Sequence, residues 1–286
     1  MKRLPLTCSV FLLAVFLFAR TVKNPFIKYE IDKIKDEFEE FHDNKNVVEK
    51  GTVSYDTKTN YTYGMSNPGQ FAKSGNRIDV WEINQDGRIV NHYNDAIQDA
   101  FYMVNANGKR IGGKSIFFKY GTVSQSMVTI TYKNRKGWSY DLYSVKGIDN
   151  ADALFTFMAN NTNVEFSLGI FGKEKGGETS NFITTTHQGT TEGGMRDVYM
   201  KQFMAGNVMM ENMHNHPAIY DAPYPSGLPD ISSGRTGDVP FAKSVVDNTK
   251  RISAITPIFW IYDPKTGQKI PYGPNSVKSD FSYFKR

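Results

Sequence analysis

This chain has almost no cysteine: Cys8 is the only one among its 286 residues. A single cysteine excludes an intrachain disulfide and a cysteine-based zinc cage, so any bound metal must be held by histidine and carboxylate side chains. Histidine is also scarce, with five in the chain, yet His214 and His216 stand one residue apart and are followed by Pro217. This spacing makes the stretch ENMHNHP the first candidate for a metal site.

The chain also lacks a large excess of positive charge. Three of its 34 Lys and Arg residues lie in the first twenty positions, which contain no acid, so 31 basic residues face 29 acidic ones from residue 21 onward. A nucleic-acid-binding protein usually carries a clustered basic face, and this near-balance gives no clear indication of one. The hydrophobic fraction of 40% and the aromatic fraction of 14% can fill a core, which excludes a disordered chain.

The amino-terminal segment has the features of an export signal. Two basic residues precede an apolar run from Leu4 to Ala19, which is sixteen residues long. That length matches the hydrophobic part of a signal peptide and is near the lower limit for spanning a bilayer. We therefore predict that residues 1–24 are a signal peptide or membrane anchor of an exported bacterial protein, whether periplasmic, membrane-anchored or secreted. Membrane contact is expected only through residues 4–19, if they are not cleaved.

Residues 25–150 are predicted to form a helix followed by β-hairpins. Apolar residues recur at three- and four-residue spacing over residues 27–41, with Lys and Glu between them, which predicts an amphipathic helix. The following segment is rich in Tyr, Val, Ile and Thr and is interrupted by turn pairs such as Asp86-Gly87. Within it, residues 79–93 and 127–145 each have the pattern of a hairpin.

Residues 151–270 alternate between helical and strand patterns, which is typical of α/β layers. Helices are predicted over residues 151–161 and 239–250, and strands over residues 163–172, 181–190, 208–217 and 252–263. The segment RDVYMKQFMAGN fits either type, and residues 271–286 form a basic tail. The predicted fold class is therefore α+β, with a β-rich hairpin lead-in before an α/β domain.

The two close histidines can face a single metal ion. In an extended strand, residues two apart point to the same side, so His214 and His216 can share an ion while Asn215 turns away. Catalytic zinc takes three nitrogen or oxygen ligands and keeps a fourth position for water. The third ligand should therefore be a carboxylate that the following loop brings back.

Three aspartates in or near that loop are candidates: Asp221, Asp230 and Asp238. Asp238 has the best context, because it comes just before a predicted helix whose first backbone amides can orient a carboxylate. Asp230 is the second choice.

A hydrolytic metal site also needs a general base within hydrogen-bond reach of the attacking water. Glu165 is a charged residue in the otherwise apolar predicted strand NVEFSLGIF, and a buried carboxylate is costly without a partner or a purpose. It is the preferred base, and the weaker alternatives are Glu192 and Glu211. A hydroxyl can steady the developing oxyanion; the preferred residue is Ser226, before Ser232 and Ser233.

A strand glutamate, then His-x-His-Pro about fifty residues later, then Ser and Asp resemble the JAMM (JAB/MPN) metallopeptidase motif. More narrowly, the segments NNTNVEFSL, HNHP, PSGLP and GDVPFAKSV resemble the JAB-like toxin domain of bacterial polymorphic (Rhs-type) toxins, over about residues 151–262. The resemblance implies a three-layer α/β/α, cytidine-deaminase-like domain. It also implies a zinc peptidase or isopeptidase that acts as a toxin on a protein or peptide substrate, with an immunity protein as a further partner.

Carried over position by position, the resemblance implies that His214, His216 and Asp238 bind Zn²⁺. Glu165 would act as the general acid and base that activates the attacking water, and Ser226 would support the oxyanion. The spacing departs from the usual pattern, in which Ser follows the second His by seven residues and Asp follows that Ser by three. Here the two intervals are ten and twelve. Either a long insertion loops out between Ser226 and Asp238, or Asp230 is the ligand.

Two other functions stay open at this point. The first is a metal-dependent nuclease toxin, since histidine-rich sites also cleave phosphodiesters, although the near-balanced charge argues against it. The second is a catalytically inactive binding module of the same fold. Nucleic-acid degradation would indicate the first, and zinc binding without hydrolysis would indicate the second.

Overall fold

The computed structural model describes residues 51–55, 79–94, 98–132, 135–219, 224–230 and 236–282. Its strands are β1 (Gly51–Tyr55), β2 (Asp79–Ile83), β3 (Ile89–Asn94), β4 (Gln98–Val104), β5 (Arg110–Lys119), β6 (Val123–Tyr132), β7 (Arg135–Val145), β8 (Ser167–Gly172), β9 (Thr179–Thr185), β10 (Val208–Asn215), β11 (Ile258–Asp263) and β12 (Gln268–Tyr272). Its helices are α1 (Ile148–Asn161), α2 (Gly194–Met204) and α3 (Asp238–Ile252), with a 3-10 helix over Lys278–Phe281. The predicted leader and the predicted helix over residues 27–41 lie outside the described residues. Within them, no helix is both long and apolar enough to cross a membrane.

Both predicted hairpins are confirmed. Strands β2 and β3 pair antiparallel, and so do β6 and β7. In the first hairpin the amide of Gly87 donates to the carbonyl of Asn84 at 3.0 Å, and Gly87 has φ of +70°. Glycine takes this left-handed conformation at little cost, whereas a residue with a Cβ is strained there. The Asp-Gly pair therefore marked the turn correctly.

A large mixed sheet organises most of the described chain. Its strand order is β1-β6-β7-β9-β8-β10-β11-β12, and the pairs are antiparallel except for β10 with β11. The combination of mixed sheets with helices places the fold in the α+β class, as predicted. Strand β7 of the lead-in pairs with β9, so one sheet contains strands from both sides of residue 150. The predicted domain boundaries themselves stay predictions.

A smaller sheet, β3-β2-β4-β5, shares a hydrophobic core with the large one. Its Trp81 and Phe101 rings stack with their centroids 4.5 Å apart. Helix α1 contributes apolar side chains at helical spacing, including Leu154, Phe155 and Met158, none of which is exposed to solvent. These residues belong to one cluster with core residues of both sheets. Burial of this apolar stripe is what makes the segment a stable helix.

The segment that fitted either structure type from its sequence forms helix α2. Its buried residues Met195, Val198, Tyr199 and Phe203 occupy positions i, i+3, i+4 and i+8, which lie on one helix face. Helix α3 packs beside it, with the Phe241 ring 5.8 Å from that of Tyr199. This contact lies in the first turn of α3, close to Asp238.

Candidate metal centre

The two close histidines lie at the carboxyl end of β10, in the interior of the large sheet. His214 pairs with Ser167 of β8 on one side and with Ile261 of β11 on the other. His216 follows directly after the strand, and its amide donates to the carbonyl of Tyr262 at 3.3 Å. The Nε2 atoms of the two histidines are 3.2 Å apart. The two-residue spacing therefore brings both rings to one place, as predicted.

Asp238 completes a group of three ligand-type residues. It is the first residue of α3, and its Oδ2 lies 3.4 Å from Nε2 of His214 and 3.9 Å from Nε2 of His216. One ligand atom from each residue can be chosen so that all three lie within 4.8 Å of one another. By contrast, both carboxylate oxygens of Asp230 accept from the amide of Lys278. The structure thus brings Asp238 to the histidines and places Asp230 elsewhere.

Ser226 explains how Asp238 reaches the histidines despite the twelve-residue spacing. Its amide and its hydroxyl donate to Oδ2 of Asp238 at 2.7 and 2.8 Å. In return, the amide of Asp238 donates to Oγ of Ser226 at 3.0 Å. The two ends of this twelve-residue interval are therefore hydrogen-bonded to each other. The hydroxyl hydrogen predicted to serve an oxyanion is directed at Asp238 in this arrangement.

The three residues fit a zinc ion by chemistry and by spacing. Two imidazoles and one carboxylate are a common catalytic donor set, and zinc takes them about 2.0–2.2 Å away. Ligand atoms at that distance from a tetrahedral ion lie roughly 3.3 Å from one another. The distances of 3.2 and 3.4 Å match this spacing, and the distance of 3.9 Å between His216 and Asp238 is somewhat longer. Small adjustments of the side chains would be enough to hold the ion.

Glu165 is buried next to this group. The structure corrects one detail, because β8 begins at Ser167 and Glu165 precedes the strand instead of lying inside it. Its residue surface is 8% exposed, and burial raises the pKa of its carboxyl to about 8. His214 counteracts this shift, whereas Asp238 and Glu192 add to it. A carboxyl that stays protonated at neutral pH while surrounded by charged groups is typical of functional sites.

The charges of the ligand group depend on one another. Burial lowers the pKa of His214, but the carboxylates of Asp238, Glu165 and Glu192 outweigh it, so that the net pKa is raised. Burial likewise raises the pKa of Asp238, but His214, His216 and the Ser226 amide outweigh it and hold that pKa well below its usual range. Without a metal the group therefore favours a protonated imidazole beside an ionised carboxylate. A metal would replace that proton.

Further polar groups surround the centre, and little in the sequence pattern indicated them. The carboxylate of Glu192 accepts from the amides of Gly194 and Met195 at 2.7 and 3.1 Å, at the start of α2. Arg196 donates to the carbonyl of Gly237 at 3.0 Å, next to Asp238. Glu192 was only a weak alternative for the base, and Arg196 lies in the segment that fitted either structure type.

Among the described residues, the remaining candidate Glu211 does not join the group of three. Glu211 has Lys269 and Asp152 as its electrostatic neighbours. Asp221, Ser232 and Ser233 lie outside the described residues.

A family model described as JAB-like toxin 1 matches residues 143–243. The matched stretch contains all five residues predicted for the site: Glu165, His214, His216, Ser226 and Asp238. Residues 143–243 form a JAB-like toxin domain. No curated protein and no solved structure matched the chain in the corresponding comparisons.

The JAB-like toxin domain is embedded in a larger folded unit. Its match begins at Tyr143 in β7 and ends at Lys243 in α3, so β11 and β12 lie beyond it. Strand β11 nevertheless pairs with β10 along the histidine-bearing end. The family match supports a JAB-like toxin domain, and its His-His-Asp group has the ligand types and spacing of a metal site. Strands outside the matched residues help to hold that group in place.

Proposed function

We propose that this protein is a zinc-dependent peptidase or isopeptidase of JAMM type that acts as a bacterial toxin. The observation that carries the proposal is the convergence of His214, His216 and Asp238 beside the buried carboxyl of Glu165, inside a JAB-like toxin domain. Three ligands plus a buried acid/base group are what amide hydrolysis at a metal requires.

His214, His216 and Asp238 would hold the ion, and Glu165 would move the protons. Zinc, when bound, supplies a Lewis acid that polarises a carbonyl and makes water acidic enough to attack it near neutral pH. The Glu165 carboxylate accepts a proton from the attacking water. It then returns that proton to the nitrogen of the departing amine, so one carboxyl serves as base and acid in turn.

The raised pKa of Glu165 suits this role only when positive charge is present. With a pKa of about 8, the carboxyl is mostly protonated at pH 7 and cannot act as a base. Positive charge held by His214, His216 and Asp238 favours the ionised form and lowers that pKa. Glu165 would therefore be ionised, and able to act as the general base at neutral pH, when zinc is bound.

Ser226 is proposed to position Asp238. Its amide and hydroxyl both donate to Oδ2 of that carboxylate, which fixes the carboxylate with respect to the histidines. Support of an oxyanion, as the family resemblance implies, would require the hydroxyl to leave Asp238 during the reaction.

We also propose the three-layer α/β/α arrangement that the resemblance implies. Leu168 and Ile170 share a hydrophobic cluster with residues of α1. A Cβ placed on Gly169, between them, would lie 2.5 Å from Sδ of Met195 in α2. Because successive residues of a strand face opposite sides, this alternation supports helices on both sides of the sheet.

Zinc content per chain tests the metal site. The full chain is expected to bind about one zinc, the His214→Ala/His216→Ala variant none, and Asp238→Ala clearly less. Asp230→Ala is a matched control, since its carboxylate lies on the Lys278 amide. Absence of zinc from the wild type after incubation with the metal would overturn the proposal.

Cleavage assays test the reaction. The probes are a mixed peptide library and lysine-branched isopeptides, with new termini identified by mass spectrometry in ¹⁸O-labelled water. We expect cleavage by the wild type and its loss, with zinc retained, in Glu165→Gln. Zinc-dependent degradation of DNA or RNA instead would support the nuclease alternative, and zinc binding without any hydrolysis would support the inactive binding module.

Export and an immunity partner belong to the same proposal. Fractionation of the producing cell would locate the protein, and expression of the toxin domain without a neighbouring open reading frame would reveal whether protection is needed. Intracellular retention or harmless expression would count against these two points without affecting the chemistry of the site.

A further inference from the structure

The residue between the two histidines has a side chain that is completely buried. Asn215 is 0% exposed and is the last residue of β10. Because alternate residues of a strand point to opposite sides, its amide points away from the place where His214 and His216 meet. A buried amide group that is not paired would cost stability, so its partners are informative.

Those partners are the peptide groups on either side of Glu165. The amide of Phe166 donates to Oδ1 of Asn215 at 2.7 Å. The Nδ2 of Asn215 donates to the carbonyl of Val164 at 3.1 Å. The backbone amide of Asn215 also donates to the carbonyl of Phe166 at 3.2 Å. A carboxamide is suited to this task because it offers a donor and an acceptor at once.

Glu165 lies before β8, so its flanking groups need partners other than a continuous strand ladder. Its own amide donates to the carbonyl of Gln188 at 2.8 Å, and its carbonyl accepts from Oγ1 of Thr185 at 2.8 Å. Together with the two bonds from Asn215, these contacts fix the backbone on both sides of the Glu165 side chain. These bonds restrict movement of the backbone that carries the Glu165 carboxyl.

We propose that Asn215 is a positioning residue that sets the place of Glu165 relative to the metal ligands. The inference rests on the proposed function, since it assigns the part that one residue plays in that same site. Asn215 lies between the two predicted histidine ligands, and its side chain hydrogen-bonds to both peptide groups that flank Glu165. One side chain therefore connects the predicted metal ligands to the predicted general base. Reactions at such sites are sensitive to displacements of about 1 Å.

The chain offers a matched control on the same strand. Asn212 is 2% exposed, and its Nδ2 donates to Oγ of Ser167 at 2.8 Å and to the carbonyl of Leu168 at 3.0 Å. Each asparagine thus joins β10 to the adjacent segment, residues 164–168, by two side-chain hydrogen bonds. Only Asn215 holds the residues next to Glu165, so the pair separates a general structural effect from a positioning effect.

The test compares Asn215→Ala with Asn212→Ala in the full zinc-loaded chain, using the cleavage probes above. Both variants are expected to unfold at a lower temperature than the wild type and to bind about one zinc. Asn215→Ala should lower kcat about 10- to 100-fold with little change in KM, as loss of an outer-shell contact typically does, whereas Asn212→Ala should keep kcat within about threefold. The residual cleavage rate of Glu165→Gln, measured at high enzyme concentration, should not fall further when Asn215→Ala is added.

Three results would overturn the inference while the proposed function stands. These are equal losses of kcat in the two alanine variants, loss of zinc in Asn215→Ala, or an undiminished effect of Asn215→Ala in the Glu165→Gln background. If Asn215→Ala does not fold, Asn215→Asp replaces it, because it keeps an acceptor for the Phe166 amide but loses the donor to Val164. A wild type without zinc or cleavage would instead refute the proposed function, and the inference with it.

Discussion

Replacing Glu165 by Gln should stabilise the metal-free protein at pH 8 and change its stability much less at pH 5. In the folded protein the pKa of Glu165 is about 8, against an ordinary value of 4.5. Between these values the unfolded chain loses the carboxyl proton while the folded protein keeps it. The contribution of the protonated carboxyl is therefore fully present below pH 4.5 and is lost as the pH rises through 8. Glutamine is neutral throughout and lacks this dependence.

The size of the effect follows from the separation of the two pKa values. Each pKa unit corresponds to about 1.4 kcal/mol, so the full separation from 4.5 to about 8 corresponds to about 4.9 kcal/mol, of which about 3.5 kcal/mol is lost between pH 5 and pH 8. This is an upper value, because water can reach the ionised carboxylate of Glu165 when the surrounding protein relaxes. At roughly 2–4 °C per kcal/mol for a folded unit of this size, the melting temperatures of the two proteins should diverge by several degrees.

Thermal unfolding of the wild type and Glu165→Gln, both treated with chelator, measures the difference in melting temperature at pH 5, 6, 7 and 8. Glu165 is one of the carboxylates that raise the pKa of His214, so the measured difference includes this coupling between the two residues. A repeat with saturating zinc is the internal control, since a nearby cation favours the ionised carboxylate and should reduce the divergence. Parallel melting curves across the whole pH range without metal would show that Glu165 has an ordinary pKa and would refute the reasoning.

Three further changes test how the ligand group is built. Ser226→Ala should weaken zinc binding and lower stability by about 1–2 kcal/mol, because Asp238 loses one hydrogen bond to its carboxylate and one from its amide; a zinc titration and a urea melt measure both. Gly237→Ala should cost more than about 1 kcal/mol, since Gly237 has φ of +127° and a Cβ there would lie 2.9 Å from Oγ of Ser226; an unchanged urea midpoint would contradict this. Asp230→Ala should keep full zinc content while loosening the Lys278 amide, and loss of zinc would reassign the third ligand.

Local patterns identified much of the ligand group from the sequence. Residues two apart on a strand face the same side, so the spacing of His214 and His216 was enough to predict that their rings meet. The position of Asp238 just before a helix pattern also pointed to a fixed carboxylate. The two hairpins were readable because turn residues and strand alternation are short-range features.

Longer-range features could not be read in the same way. The sequence placed Glu165 inside a strand, whereas the strand begins two residues later at Ser167. Helix α2 could not be told from a strand because packing against α3 and the sheet, and not its own composition, decides it. The twelve residues from Ser226 to Asp238 obscured the ligand assignment, because nothing in the spacing reveals that the two ends of the loop are hydrogen-bonded to each other.

The sequence by itself determined which side chains this protein can use for chemistry, since one cysteine and five histidines leave few possible ligand sets. It also determined the strand on which two of them lie. Only the tertiary structure decided that Asp238 and Glu165 lie beside His214 and His216, and that Asn215 hydrogen-bonds to the backbone on both sides of Glu165. Those contacts join residues about 12 to 50 positions apart along the chain, and such contacts form only when the packing of the whole sheet outweighs the entropy of closing the loops between them.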